Sequence, residues 1–175
     1  MSSTSNVFNN EPDFTLPDGV SIVQVAKRAG AELLGGTVYA MEPGSRWADL
    51  HVHHANEEMI VVLDGAPTLH TLDGARELHV GDVVACLRGR RGAHRLTNDS
   101  EAPARVLILS TMNMPEIVEY PDEGEDGRVL AMTEPPWSEA PYDDSKGRLI
   151  RVFRRNQGKP VPPDTAPEQS SEQST

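Results

Sequence analysis

Short apolar stretches broken by turn residues fill the middle of the chain. They run at Ile22–Val25, Thr37–Met41, Leu50–His53, Met59–Leu63, Thr68–Leu72, Glu77–Val80, Asp82–Cys86, Ala93–Thr97 and Arg105–Ser110. Each has the length and β-branched content of a strand, and their close spacing predicts an all-β sandwich or barrel. Asp73–Gly74 and Asp64–Gly65 mark turns, because both residue types tolerate positive φ. No long stretch repeats apolar residues at i, i+3 and i+4, so helix is expected to be minor, at most a turn or two near Met114–Val118.

The pattern fades at both ends. Residues 1–18 are polar and aperiodic and read as an arm that is ordered only if it docks. The barrel is placed at 19–118, followed by an acidic loop and C-terminal strand arm at 119–155. In that arm Glu119–Trp137 is read as loop and Leu149–Phe153 as a terminal strand that could cover a barrel edge or a second subunit. Residues 156–175, rich in Pro, Ser, Gln and Thr, are expected to be disordered.

Composition removes several function classes. With 175 residues there is room for one domain with a core. The net charge of −11 opposes nucleic-acid binding, which needs clustered cations. No apolar run approaches the roughly 18 residues of a membrane span, and no targeting segment is apparent. The lone Cys86 suits packing in a strand and a reducing compartment, so the expectation is cytoplasmic.

The chemistry concentrates in histidines. His51 and His53 are two apart on a strand and therefore point the same way. A turn later Glu58 opens the next strand, and His94 lies further on. Together with Gly44, Gly65, Gly81, Gly89 and Asn98 these residues resemble, in order and register, the two motifs of the cupin family. The six-residue spacer after Gly44, Leu87 at a motif proline position and a longer stretch between Gly89 and His94 depart from the common form in loops only.

The resemblance implies a double-stranded β-helix, or jelly-roll barrel, with extended and partly disordered termini, and a homodimer. It also implies that His51, His53, Glu58 and His94 hold one divalent transition metal. Three imidazoles and one carboxylate suit Fe, Mn, Ni, Co, Zn or Cu and leave open positions for water, dioxygen or a chelating substrate. For substrate binding, Arg88, Arg90, Arg91 and Arg95 surround His94 in sequence and could pair with a carboxylate. Strand parity adds Trp47 on the face of His51, and Ile60 and Val62 on the face of Glu58. Tyr39, His54, His70 and His79 are read as packing or surface residues, and Asn98 as a turn residue. The expected function is a metal-dependent enzyme acting on a small oxygenated, anionic organic molecule. A dioxygenase is placed slightly ahead of an isomerase or lyase, and the competing class is a sensor that binds a metabolite without turning it over.

Overall fold

The computed structural model describes residues 3–9 and 11–121, and the backbone of 128–132 and 150–154. The expected disorder of 156–175 lies outside the described residues. The chain folds as β1 (Phe14–Thr15), β2 (Val20–Val23), α1 (Val25–Ala29), β3 (Gly35–Met41), β4 (Arg46–His53), β5 (Glu58–Asp64), β6 (Thr68–Thr71), β7 (Gly74–Glu77), β8 (Val83–Cys86), β9 (His94–Thr97), β10 (Ala104–Ser110), β11 (Glu116–Glu119), β12 (Arg128–Met132) and β13 (Ile150–Arg154). Two antiparallel sheets form, one in the order β1-β2-β3-β10-β5-β8 and the other in the order β13-β12-β11-β4-β9-β6-β7. This is a mostly-β, two-sheet architecture, as the strand spacing predicts, and the jelly roll that the cupin resemblance implies.

β10 shows why the sheets face each other. It pairs with β3 on one side and β5 on the other, and its alternate residues Ala104, Val106 and Ile108 are buried. Ile60 and Val62 from β5, Leu69 from β6 and Leu96 from β9 meet them in one core. Ile60, Leu69 and Leu96 have side chains almost wholly removed from water, each contributing about 1.5–3 kcal/mol of hydrophobic stabilisation. Asn98 tightens the exit from β9, donating to the carbonyls of Met41 and Ala102 at 2.8 and 2.9 Å.

Gly65 is required twice over. Its φ is +74°, and a Cβ there would stand 2.6 Å from the carbonyl oxygen of Pro103. The turn that leaves β5 can therefore pass under the start of β10 only without a side chain.

Several elements differ from the expectation. Met114–Val118 is not helical: Glu116–Glu119 forms β11, which pairs with β4, so that Val118 lies opposite His53. β12 interrupts the stretch read as loop, and the terminal strand β13 pairs with β12 at the edge of the second sheet. A helix instead forms at Val25–Ala29, where Ala-Lys-Arg-Ala suits a helical turn and Gly30, at φ +82°, ends it. The second hairpin strand is Gly74–Glu77 rather than Glu77–Val80, because Thr71 pairs directly with Gly74 and leaves only Leu72 and Asp73 in the turn. The N-terminal arm docks: the Arg105 guanidinium donates to the carbonyls of Val7 and Asn9. Among the described residues no helix is long and apolar enough to cross a membrane.

Candidate metal centre and cavity

Neighbouring strands bring the four predicted ligands together. On β4, His51 and His53 share a face, and β9 places His94 directly opposite His51. Glu58, at the start of β5, comes from the facing sheet, paired with Ser110 and Cys86. Donor atoms of His51, His53 and Glu58 lie within 4.8 Å of one another. The Glu58 Oε2 atom is 3.0 Å from His94 Nε2 and 3.6 Å from His53 Nε2. The ring of His51 is 4.4 Å from that of His94 and 5.0 Å from that of His53, centre to centre.

The orientation of each imidazole is fixed from behind. The Nδ1–H of His51 donates to the carbonyl of Asp49 at 2.8 Å, and that of His94 to the carbonyl of Gly92 at 2.8 Å. His53 Nδ1–H donates to Glu116 Oε2 at 3.3 Å. Carbonyls and carboxylates accept only, so each ring carries a proton on Nδ1 and turns its Nε2 toward the others. Gly92 makes one of these contacts possible, since a Cβ there would collide with the backbone of Leu87 at 1.6 Å.

Glu116 escaped the sequence reading. It is 1% exposed and accepts the backbone N–H groups of His54, Ala55 and Ile117 and the side-chain amide of Asn56, besides His53. Burial alone would raise its pKa; His53 and these donors outweigh burial and hold it down at about 2. The β-branched pair Ile117-Val118 that follows it was the one local signal for a strand.

Electrostatics within the cluster are unequal. Burial, followed by the positive charge that His94 and His53 can carry, pushes His51 down to about 3, so it stays neutral. Burial opposes charge on His94 as well, but Cys86 and Glu58 beside it prevail and raise it. Burial would raise Glu58, yet His94, His53 and His51 hold its carboxyl below the usual range. His94 Nε2 is buried and, although Glu58 Oε2 is close, is not aligned with it in a hydrogen bond. An unsatisfied imidazole nitrogen beside a carboxylate and two further Nε2 lone pairs fits a divalent ion of intermediate softness. His51, His53 and Glu58 could hold such an ion, with His94 adjacent as the fourth donor.

The cluster opens into a cavity of about 620 Å³ whose wall is mostly apolar: Phe14, Leu16, Ile22, Trp47, Ile108, Met112, Met114 and Val118, with Tyr39 and Tyr120. Tyr39 packs on Trp47 at 4.1 Å, and burial followed by the Glu58 charge raises its pKa above the ordinary value. The phenol therefore stays protonated. Two non-glycine residues on this wall, Ala48 and Met112, have φ of 57° and 56°. The β4–β9 register shifts between Trp47 and His51, so Ala48 joins Trp47 on the cavity side.

Trp47 thus borders the cavity, as strand parity suggested. Ile60 and Val62 lie in the core and not on the cavity wall, because the facing sheet covers them. Arg88, Arg90 and Arg91 are exposed, and none of the four arginines borders the cavity. Arg90 is paired with Glu119 at 2.7 Å, and Glu119 also meets His54. His70 bonds Thr97 on the neighbouring strand, and His79 is exposed.

A two-sheet barrel with three inward histidines and a glutamate that could hold a metal defines a class of small β-barrel proteins. Residues 37–110 match the cupin domain family. Among solved structures, it resembles a sugar phosphate isomerase of the cupin superfamily from Silicibacter pomeroyi, with a TM-score of 0.65, 23% identity and coverage of 94% of this chain and 93% of that one. It also resembles a putative sugar phosphate isomerase from Acidithiobacillus ferrooxidans, with a TM-score of 0.58, 23% identity and coverage of 65% and 70%. At that identity the likeness is one of fold. A search of curated proteins finds no match.

Proposed function

We propose that this protein is a metal-dependent enzyme acting on a small, oxygenated organic molecule, with dioxygen-dependent oxidation ahead of isomerisation or elimination. The observation that carries the reading is that all three histidines donate Nδ1–H backwards, turning three Nε2 atoms toward Glu58 at one end of a mostly apolar cavity. Such a tautomer set has no use in packing. A divalent transition ion held there would polarise a substrate oxygen and, if redox-active, would relay electrons from the bound substrate, which is oxidised, to dioxygen.

The chain's own residues have separable tasks. His51, His53, His94 and Glu58 would hold the ion, and Glu116 keeps the His53 ring in place. Tyr39 is a neutral phenol in the cavity, able to donate a hydrogen bond to a substrate oxygen. The apolar wall excludes water and favours a substrate with carbon bulk beyond its oxygen atoms. An anionic oxygen group would find its countercharge at the ion. Phosphoryl recognition usually falls to lysine or arginine, and none borders the cavity among the described residues, so the names of the two solved neighbours weigh less than this wall.

The test is elemental analysis of protein purified without added metal, followed by oxygen-electrode assays with catechols, β-diketones and hydroxy acids. A redox-active ion with substrate-dependent oxygen uptake supports the reading. Product formed without oxygen would put an isomerase or lyase first, and ligands returned unchanged in both conditions would make the protein a binding module. Full-rate turnover by metal-free His53→Ala protein would refute the mechanism.

A further inference from the structure

Part of the cavity wall comes from a segment outside the matched cupin domain. Residues 11–16 run along the edge of the first sheet, with Phe14 opposite Ile22 and Thr15 opposite Ser21. Backbone bonds tie the segment at two points, Asp13 N–H to the Ile22 carbonyl at 2.8 Å and Leu16 N–H to the Val20 carbonyl at 2.9 Å. Side chains add a clamp. The Asp13 carboxylate accepts the Gln24 N–H at 2.7 Å and pairs with Arg28 at 2.8 Å, while Arg28 also donates to the Glu11 carbonyl at 3.0 Å. The strap is therefore held in place.

Its period of two puts Phe14 and Leu16 on the cavity side. Phe14 nevertheless remains 47% exposed, so a large aromatic side chain is held at the solvent border of the cavity with half its surface in water. Met112 and Met114 line the same cavity, and their flexible thioethers can adapt to varied apolar shapes. A ligand with carbon bulk would cover Phe14 and gain the hydrophobic free energy of doing so.

We propose that this N-terminal strap is the specificity wall of the site, selecting molecules with two oxygen donors at one end and an apolar body at the other, over which Phe14 closes. The inference rests on the reading of the histidine cluster as a metal site, and the experiment separates the two. Full-length protein loaded with Co(II) is titrated with acetohydroxamate and benzohydroxamate, which share one chelating head and differ in body, and binding is followed by the visible Co(II) spectrum. The unaltered protein should prefer benzohydroxamate by about tenfold or more. Phe14→Ala combined with Leu16→Ala should retain Co(II) and acetohydroxamate affinity while the preference shrinks to about threefold or less. Asp13→Asn, which loosens the clamp without touching the wall, should give a smaller change in the same direction.

A second arm needs no metal. In metal-free protein, 4-fluorotoluene should show 19F line broadening that the double variant weakens. An absent Co(II) signature with intact 4-fluorotoluene binding overturns the metal reading and leaves the strap as an apolar-ligand wall. Bound Co(II) with equal affinity for both hydroxamates, or a preference untouched in both variants, overturns the strap.

Discussion

His94 and Arg90 are four residues apart, yet His94 is 2% exposed with its Nδ1–H fixed on Gly92, whereas Arg90 keeps 56% of its side chain in solvent against Glu119. The histidine begins β9, where pairing with β4 dictates which way it points. The arginine sits in a single 3-10 turn, where no ladder dictates direction. A side chain on a paired strand inherits its orientation from the sheet; one on a turn takes whichever partner is near.

The comparison breaks most sharply if a ligand is removed. His53→Ala takes out one Nε2 and strands Glu116 without its imidazole partner. Metal affinity should fall by more than the roughly tenfold to hundredfold expected for outer partners, with turnover lost in parallel. Stoichiometric metal by elemental analysis in that variant would remove His53 from the site.

Glu116→Gln probes the next layer. The amide cannot be a full acceptor for His53 and for the four other donors that converge on Glu116. Metal affinity should fall about tenfold to a hundredfold, read by competition with a chelator, with the fold retained. Unchanged affinity would mean that His53 is oriented by packing alone.

Much of this region was legible because strand parity is unforgiving. His51 and His53 share a face in any strand, Glu58 follows after a single turn, His94 entered through the cupin resemblance, and the structure places all four together. Glu116 was not legible because it acts from 58 residues beyond Glu58, on a segment whose proline and methionines gave no clear period. Parity also failed within β4 itself: the register shift and the positive φ of Ala48 put two successive residues, Trp47 and Ala48, on the cavity wall. Ile60 and Val62 show the converse limit. They share the face of Glu58, but a barrel face is cavity at one end and packed core further along, and that depth is a tertiary fact.

Acid sharpens the contrast, because Glu116, His51 and His94 are all buried. Glu116 has its pKa depressed in the fold, so its contribution is present above the ordinary carboxylate range and lost as pH falls toward about 2. His51 stays neutral in the fold down to about 3, whereas the unfolded chain takes up a proton near 6.5, so unfolding is favoured progressively as pH drops between these values. Both act in the same direction, and chemical denaturation of metal-free protein should show stability falling from pH 6.5 to 3. His94 has the opposite sign, a raised pKa whose contribution is complete below about 6.5 and is lost as pH rises through its higher folded value. A metal competes with that proton for Nε2, so metal affinity should rise with pH over the same range. Affinity independent of pH between 6 and 9 would show that His94 is not displaced from its proton and is not a ligand.

The arginine loop should give the smallest response. Arg90→Ala removes one partly solvated ion pair, for which about 0.5 kcal/mol or less of stability is expected, and it leaves the Nδ1 partners of all three histidines in place. Metal content and affinity should match the unaltered protein within about twofold. Arg88→Ala and Arg91→Ala, both at exposed positions, should change even less. Steady-state kinetics with the substrate that the oxygen assays identify decide the remaining question: an unchanged KM in all three variants keeps the loop outside the site. A severalfold rise in KM at constant metal content would instead mean that an arginine swings in to meet the anionic end of the substrate, and the turn would then have a function that its resting orientation does not display.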